Sequence, residues 1–352
     1  MDSDKQLDAI RARIDSIDTQ LLALISERAK CAQEVAEVKL AASQSADIPA
    51  VFYRPEREAQ VLRAIQERNP GPLASDYVAS IFREIMSSCL ALEKPLSVAY
   101  LGPEGTYSQA AALKHFGQSA IPVGQSSIHK VFRQVESREC DYGVVPGENS
   151  TEGMVGQTLD SFLETPLQIT GEIELPVVHH LLGSASTHVG SVKLVLGHEQ
   201  ALAQCRQWLD SHLPDVPRET VASNGVAALR AAGETGVAAI AGDLAAHLHQ
   251  LTPLVNAIQD SSSNTTRFLV LGRERVPPSG HDKTSLLVSA RNRPGALLGL
   301  LRPFEENGIS LTRIDSRPSK TEKWTYVFYI ECEGHLADDI MIEVMSQIEE
   351  HS

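Results

Sequence analysis

The sequence predicts a multidomain protein with an all-α helical N-terminal module, a two-lobed α/β central module and an α+β C-terminal module. Three observations lead to this fold class: a long apolar stripe of helical period, then short β-rich runs alternating with helical ones, then a β-α-β-β-α order. At 352 residues the chain exceeds one ordinary core, since domains contain ~150 residues. The predicted modules cover residues 1–95, 96–275 and 281–352.

Charge and cysteine usage narrow the function classes. The formal net charge of -14 repels phosphate backbones and anionic lipid, and no Lys/Arg run offsets it, so neither nucleic acid nor a membrane is an expected partner. Five widely spaced cysteines without a C-x-x-C pair fit a reduced compartment, and no run of ~18 apolar residues occurs. We therefore expect a cytoplasmic protein.

The histidine pairs do not predict a metal site. His179 and His180 lie in a strand-like run, and His247 and His249 lie on a predicted helix. Neither pair has carboxylate or cysteine companions at metal-ligand spacing. We expect no metal and no cofactor.

The N-terminal module begins with one amphipathic helix. Apolar or small residues recur every three or four positions from Leu7 to Val38, which predicts a helix to about Lys39, with a polar stretch and Pro49 breaking it. Pro55 opens a second helix, and a third with one apolar face follows and ends before Pro95.

The long stripe alone is typical of a dimerisation coiled coil. Arg28 occupies a stripe position, however, where a charge is costly without an anionic partner. Lys39 lies about three turns beyond Arg28 on nearly the same side, whereas Arg11 is ~42 Å of helix from Lys39. In an antiparallel homodimer, Arg11 of one chain can approach Arg28 and Lys39 of the other, giving two equivalent cationic sites.

The module resembles the all-helical chorismate mutases across residues 5–93. The matching residues are Leu7, Arg11, Ile14, Asp15, Asp18, Leu24 or Ile25, Arg28, Lys39, Arg57 and Glu58. The resemblance implies a pericyclic rearrangement of chorismate to prephenate, with Arg11 supplied by the partner chain. Such a reaction needs no nucleophile, so positioning and electrostatics carry it.

The same resemblance implies roles for individual residues. Arg11 and Arg28 clamp the two carboxylates of chorismate, and Arg57 belongs to the same site. Lys39 donates to the ether oxygen, and Glu58 accepts from the ring hydroxyl. Cys89 belongs to the substrate pocket, and Glu93 falls where the family has Gln or Glu donating to the ether oxygen. A carboxylate cannot donate, so Glu93 would have to carry a proton.

Short motifs stand out in the central module, and each alone is typical of a turn or a helix cap. They are Gly102–Ser108 (GPEGTYS), Pro146–Ser150 (PGENS), His198–Cys205 (HEQALAQC) and Asn264–Phe268 (NTTRF). In this order they resemble prephenate dehydratase over residues 97–272. Together with the helical module, the chain resembles the bifunctional chorismate mutase-prephenate dehydratases. The resemblance implies a periplasmic-binding-protein-like pair of lobes.

Dehydratase chemistry removes CO2 and a ring hydroxyl from prephenate, so its main requirement is a donor at the leaving oxygen. The resemblance assigns this role to Thr266, while Arg267 either binds a carboxylate or braces the lobe. The other expected substrate contacts are Glu148, Asn149 and Gln204, with Ser108 a weaker candidate. The sequence departs from the family pattern at Gly147, Gly197 and Glu199. We expect Gly147 to loosen the loop that presents Glu148 and Asn149.

The C-terminal order resembles a ferredoxin-like ACT domain. Its two effector motifs match Arg293–Leu298 (RPGALL) and Asp315–Pro318 (DSRP). In dehydratases these loops bind phenylalanine between paired domains, which implies effector contacts at Gly295, Ala296, Leu297, Asp315, Ser316, Arg317 and Pro318. The family has a fourth strand after the second helix, where this sequence ends, so we expect an open edge or one covered by another chain. The alternative is a purely structural sandwich.

Three functions remain open at this level. The first is a homodimeric enzyme that converts chorismate to prephenate and prephenate to phenylpyruvate, with phenylalanine as feedback inhibitor. The second is a ligand-binding sensor whose helices only dimerise. The third is a dehydratase with an inactive mutase module. Arg28 and Lys39 favour the enzyme over the sensor, because a sensor's coiled coil would prefer apolar residues there.

Overall fold

The structure, a computed structural model, describes residues 2–46, 51–290, 293–318 and 325–349. The three predicted modules follow one another within these residues. A helical module is followed by two mixed α/β sheets and then by a three-stranded sheet with two helices. The predicted multidomain fold class is confirmed.

Three helices form the N-terminal module: α1 (Asp2–Ala46), α2 (Pro55–Arg68) and α3 (Ser75–Glu93). The prediction that α1 ends near Lys39 is wrong, because the helix continues to Ala46. The residues after Lys39 include no Gly or Pro before Pro49, so nothing in the sequence interrupts the backbone hydrogen bonds there. Pro55 starts α2 as predicted, since its fixed φ suits the first helical turn.

Helix α1 carries an apolar face that its own chain leaves uncovered. Helix α3 packs against α1, yet eleven large apolar side chains of α1 are 41–69% exposed. They are Leu7, Ile10, Ile14, Ile17, Leu21, Leu22, Leu24, Ile25, Val35, Val38 and Leu40. A stripe of this length is typical of a surface that another helix covers.

The central module contains the strands and helices of two lobes. Its strands are β1 (Ser97–Leu101), β2 (Ile121–Gln125), β3 (Tyr142–Asn149), β4 (Gly153–Met154), β5 (Gln168–Pro176), β6 (His180–Gly183), β7 (Leu194–Gly197), β8 (Arg218–Thr220), β9 (Val237–Ala241), β10 (Thr252–Val255) and β11 (Thr265–Gly272). Its helices are α4 (Tyr107–Phe116), α5 (Ile128–Glu136), α6 (Gly156–Phe162), α7 (Glu199–Gln204), α8 (Arg206–His212), α9 (Asn224–Gly233) and α10 (Asp243–Leu248).

Each lobe is built on one mixed sheet. The first sheet has the order β2-β1-β3-β11-β5, with β4 paired to β3, and the second has the order β10-β6-β9-β7-β8. The chain crosses between β5 and β6 and returns between β10 and β11, which confirms the predicted two lobes. The sequence predicts one helix over 200–211, but the structure has two, α7 and α8, which meet at the buried Cys205. The carboxylate of Asp260 accepts hydrogen bonds from Gln207 N and Trp208 N and so caps α8.

The C-terminal module has the predicted β-α-β-β-α order. Its elements are β12 (Lys283–Ala290), α11 (Ala296–Glu306), β13 (Leu311–Pro318), β14 (Tyr326–Glu333) and α12 (Asp339–Glu349). The strands form an antiparallel sheet of order β12-β14-β13, and both helices pack on it around Leu300, Phe304 and Met341. No fourth strand joins this sheet within the described residues.

The modules contact one another through buried side chains. Tyr53, which precedes α2, lies in the core of the first lobe against Phe116 and Tyr142. On the other side of this lobe, Tyr329 of β14 donates a hydrogen bond to Leu159 O at 2.6 Å. Both outer modules therefore rest on the lobe that contains β3 and β11.

Candidate active sites

One cluster lies where α1 meets α3 in the helical module. Lys39 Nζ is 3.7 Å from Glu93 Oε2 and donates to Phe52 O at 3.0 Å. The Glu93 side chain is 9% exposed, and its Oε2 has no hydrogen-bond partner among the described residues. Cys89 is buried one turn before Glu93 on α3. The structure thus brings together Lys39, Glu93 and Cys89, with an ammonium and a carboxylate oxygen that both have bonding capacity left.

The second carboxylate of the module, Glu58, is paired with a residue that the sequence analysis missed. Glu58 Oε1 lies 3.7 Å from Arg83 Nε, across α2 and α3. Burial raises the pKa of Glu58 to about 7, and the charge of Arg83 opposes this shift. Arg83 Nε has no hydrogen-bond partner among the described residues. Its position on the α3 face toward α2 was the one signal that could have identified it.

Three of the predicted cationic residues stay apart from this cluster. Arg11, Arg28 and Arg57 are exposed, and Arg11 contacts only Asp8 at 3.3 Å among its described ion pairs. The 28 positions between Arg11 and Lys39 lie on one continuous helix, which separates them by ~42 Å. Within one chain, Arg11 cannot reach a ligand held by Lys39.

A second cluster joins the ends of β3 and β11 in the first lobe. Asn149 Nδ2 donates to Thr266 Oγ1 and to Asn264 Oδ1, both at 2.9 Å. Asn149 Oδ1 accepts from the backbone N–H groups of Thr151 and Glu152, which fixes the amide orientation. Both amide protons of Asn149 are therefore used, and Thr266 acts as acceptor, so its own O–H remains available to a ligand. Asn264 begins the Asn264–Phe268 motif but was not predicted as a site residue.

Glu148 and Arg267 face the C-terminal module and not this pocket. Arg267 donates to Glu331 at 2.7 and 2.9 Å and to Glu172 at 2.9 Å. Glu148 pairs with Arg313 of β13, and Arg267 Nε lies 3.8 Å from it. Of the two predicted roles for Arg267, this geometry favours the brace, since carboxylates already occupy its guanidinium.

The strand that ends in Glu148 and Asn149 is tightly packed. Gly147 lies inside β3, where an added Cβ would stand 2.8 Å from Leu269 Cγ. The expectation that Gly147 loosens a loop is wrong, because Leu269 fills the space that a side chain would take. At Gly197 an added Cβ would stand 3.2 Å from Leu202 Cγ.

Polar residues continue along the crossovers to Gln204. Val177 N donates to Asn264 O at 2.9 Å, so the two crossovers run side by side from the Thr266 pocket. Tyr107 Oη then contacts Val178 O and His179 Nδ1, and His179 Nε2 lies 2.9 Å from Gln204 Oε1. Tyr107 and His179 were not predicted as site residues. Ser108 is buried on α4 beside Tyr107.

The two effector motifs lie at the same end of the C-terminal sheet, where Ala290 of β12 and Pro318 of β13 both pair with Tyr326 of β14. A cavity of about 550 Å³ adjoins Gly295 and is lined by residues that include Arg293 and Arg302. Gly295 caps α11 with φ +83°, a conformation that favours glycine, and Ala296 and Leu297 begin the helix behind it. Asp315, Ser316, Arg317 and Pro318 end β13 and do not line this cavity, and Arg317 Nη1 lies 3.5 Å from Asp160. The cavity therefore involves the first motif and not the second.

Among the described residues, no group of three or more His, Cys, Asp or Glu side chains could hold a metal ion. None of the described helices has the length and apolar character needed to span a bilayer.

The sequence matches three family descriptions: chorismate mutase type II over residues 10–94, prephenate dehydratase over 98–276 and ACT domain over 284–350. A bifunctional chorismate mutase/prephenate dehydratase from Stutzerimonas stutzeri is 57% identical over 343 residues, 97% of this chain and 94% of its own. One from Pseudomonas aeruginosa is 56% identical with the same coverage. The crystal structure of a prephenate dehydratase from Arthrobacter aurescens in complex with L-Phe superposes with a TM-score of 0.68. That structure is 30% identical and covers 73% of this chain and 86% of its own.

Proposed function

The chain belongs to the family of bifunctional chorismate mutase/prephenate dehydratases, and we propose how its residues perform and regulate the two reactions. It carries both enzyme modules, so its substrates are chorismate and prephenate. The proposal has three parts: a mutase site shared by two chains, a dehydratase site organised around Thr266, and inhibition by phenylalanine bound to the C-terminal module.

The mutase site is completed by a second copy of the chain. The supporting observation is the length of α1, which holds Arg11 ~42 Å from Lys39 while leaving a long apolar face uncovered. Antiparallel packing of two such faces places Arg11 of one chain near Arg28 and Lys39 of the other. The arginines then bind the carboxylates of chorismate, and Lys39 donates to the ether oxygen as its bond breaks.

The carboxylates act at the other polar groups of chorismate. Glu58 accepts the hydrogen bond of the ring hydroxyl, and its ionised form is the better acceptor. Glu93 lies beside Lys39 at the position expected for the ether oxygen, where a hydrogen bond to that oxygen needs a donor. Arg57 adds positive charge to the site, and Cys89 packs against the substrate ring.

Dehydration depends on a donor that is already oriented. Loss of CO2 breaks the carboxyl–ring bond and leaves its electron pair in the ring, which becomes aromatic as the hydroxyl leaves with its bonding electrons. Asn149 donates a hydrogen bond to Thr266 Oγ1. The Thr266 O–H is therefore directed to the leaving hydroxyl. Gln204 completes the pocket on the second lobe.

Phenylalanine binds the C-terminal module and inhibits dehydration. The Arthrobacter aurescens relative was crystallised with L-Phe, and Gly295 places backbone N–H groups at the start of α11, where a carboxylate can bind. The cavity at Gly295 is not lined by the Asp315–Pro318 segment, so the effector contacts both motifs when two modules pair.

Four charged residues connect the phenylalanine-binding module to the dehydratase pocket. Arg313 and Glu331 are register partners on β13 and β14, and Glu148 and Arg267 are register partners on β3 and β11. These four residues, which we call the charge square, join the two modules, and Arg267 directly follows Thr266. A shift of β13 caused by phenylalanine at its end would therefore move the neighbours of Thr266 and Asn149.

The experiment is a pair of assays on one purified chain: loss of chorismate and formation of phenylpyruvate, each with and without phenylalanine. The proposal expects both activities, with dehydration inhibited by phenylalanine. If calorimetry detects no phenylalanine binding, the proposed regulation is refuted. Absence of chorismate turnover in a dimeric preparation would remove the mutase part.

A further inference from the structure

A polar chain, which we call the hinge relay, joins the two lobes of the dehydratase module. It consists of Tyr107 on α4, His179 on the crossover after β5, and Gln204 at the end of α7. Tyr107 Oη lies 2.5 Å from Val178 O and 3.2 Å from His179 Nδ1, and His179 Nε2 lies 2.9 Å from Gln204 Oε1. His179 is 2% exposed, so protein groups must supply its hydrogen bonds.

As two-centre hydrogen bonds, the three contacts use three protons, one between each pair of heavy atoms. Val178 O carries none, so at 2.5 Å the Tyr107 hydroxyl must donate its only proton to that carbonyl. The contact between Tyr107 Oη and His179 Nδ1 then requires a proton on Nδ1. A neutral imidazole has no second proton, which leaves Nε2 as an acceptor facing Gln204.

A charged relay does not resolve the shortage. Burial lowers the pKa of His179, and neighbouring His180 lowers it further; a hydrogen bond to Gln204 opposes this shift only while Oε1 faces the ring. Burial also raises the pKa of Tyr107, with Cys205 and Asp243 acting in the same direction. Both groups therefore stay neutral near pH 7, and the third proton has to come from Gln204.

The Gln204 amide supplies that proton when it is turned by 180°. In the orientation with Oε1 toward His179, Gln204 Nε2 is buried without a hydrogen-bond partner. Amide oxygen and nitrogen are assigned from their hydrogen-bond network, because their shapes are nearly identical. With Nε2 toward the imidazole, every contact in the relay has one proton, and Oε1 becomes the group left for a ligand.

We infer that Tyr107 holds His179 in the Nδ1–H tautomer and that His179 thereby turns the Gln204 carbonyl oxygen toward the cleft, where it accepts the ring hydroxyl of prephenate. This inference rests on the proposed dehydratase function. Prephenate offers two carboxylates and a keto group, which are acceptors only, and its ring hydroxyl is its one donor. An amide oxygen therefore selects the hydroxyl, and an amide N–H would select a carboxylate.

The consequence for catalysis is the orientation of the leaving group. When Gln204 Oε1 accepts the hydroxyl proton, the lone pairs of that oxygen are free for the Thr266 donor. Tyr107 and His179 do not touch the substrate in this arrangement and act as positioning residues through Gln204. The crossovers that carry His179 and Asn264 are hydrogen-bonded to each other, so the relay and the Thr266 pocket form one continuous lining.

Nitrogen-15 NMR of the full chain measures the tautomer directly. The His179 resonances are identified by their loss in His179→Gln, with the exposed His212→Gln as the matched control. We expect a protonated Nδ1 and an unprotonated Nε2, and a shift toward Nε2–H in Tyr107→Phe. A wild-type Nε2–H tautomer, or no shift in Tyr107→Phe, would overturn the inference whatever the activity of the enzyme.

A binding experiment tests the recognised group separately from turnover. In a Thr266→Val background, which the proposed function expects to be inactive, calorimetry compares prephenate with an analogue that lacks the ring hydroxyl. Adding Gln204→Met should weaken the binding of prephenate about tenfold, which corresponds to one hydrogen bond of ~1.4 kcal/mol. The affinity for the analogue should not change. Equal weakening of both ligands would refute the hydroxyl contact, whereas an active Thr266→Val chain would refute the proposed donor instead.

Discussion

Replacement of Thr266 by valine removes one hydroxyl and keeps the shape of the side chain. Removing a single preorganised donor from a developing negative charge typically lowers kcat by about 10² to 10³, or ~2.7–4 kcal/mol. Thr266 is 8% exposed and its acceptor contact with Asn149 is 2.9 Å long, so water cannot readily replace it. We therefore expect dehydratase kcat to fall by about two to three orders of magnitude, and Thr266→Ser to retain most of the activity.

The same substitution has a second cost that can be measured separately. Asn149 loses one of its two acceptors, and a buried donor left unpaired costs about 1–3 kcal/mol of folding free energy. Thermal unfolding reports that cost, and phenylpyruvate formation reports kcat, while chorismate mutase activity on the same chain serves as the control. A Thr266→Val enzyme with dehydratase kcat within a few-fold of the wild type would refute the donor role.

Four further outcomes follow from the described contacts. Because burial raises the pKa of Glu58 from 4.5 to about 7, the folded state binds more protons than the unfolded state in that interval. Stability should fall by roughly 3 kcal/mol as pH rises through it, and Glu58→Gln should abolish the dependence in denaturant titrations. Mutase kcat/KM should rise with pH through about 7 as Glu58 ionises, and Arg83→Gln should move that midpoint upward; an unmoved midpoint would contradict the pairing. Glu331→Gln should preserve phenylalanine binding in calorimetry but weaken its inhibition of dehydration, whereas undiminished inhibition would show that the charge square does not transmit the signal. Gly147→Val should destabilise the chain by about 1–3 kcal/mol through contact with Leu269, and an unchanged unfolding midpoint would contradict that packing.

Local patterns were sufficient to predict the order of the elements. The 3-4 apolar spacing of α1, the β-rich runs of the central module and the β-α-β-β-α order at the C-terminus each depend on neighbouring residues, and the structure contains all three. The predicted end of α1, at Lys39, was seven residues short of its actual end at Ala46. The polar segment after Lys39 is compatible with a helix and gives no stop signal. Cys205 divides a predicted helix because Asp260, 55 residues later, caps its second half.

Contacts between distant segments account for what the sequence could not predict at the sites. Arg83 meets Glu58 only because α2 and α3 pack together, and Arg267 faces Glu331 only because the C-terminal module rests on the first lobe. Composition and residue spacing do not predict such contacts between distant segments. Gly147 shows the same limit, since its effect depends on Leu269, 122 positions away in the chain.

A heterodimer of two inactive chains tests whether two chains share each mutase site. Arg11→Ala and Lys39→Ala chains with different affinity tags are co-expressed, and the doubly tagged dimer is purified. One of its two sites then combines the intact Arg11 of one chain with the intact Lys39 of the other, so half of the wild-type mutase activity is expected while each homodimer is inactive. Dehydratase activity of the same preparation confirms that the chains are folded. A heterodimer as inactive as the two homodimers would place Arg11 and Lys39 in the same site of one chain and contradict the account.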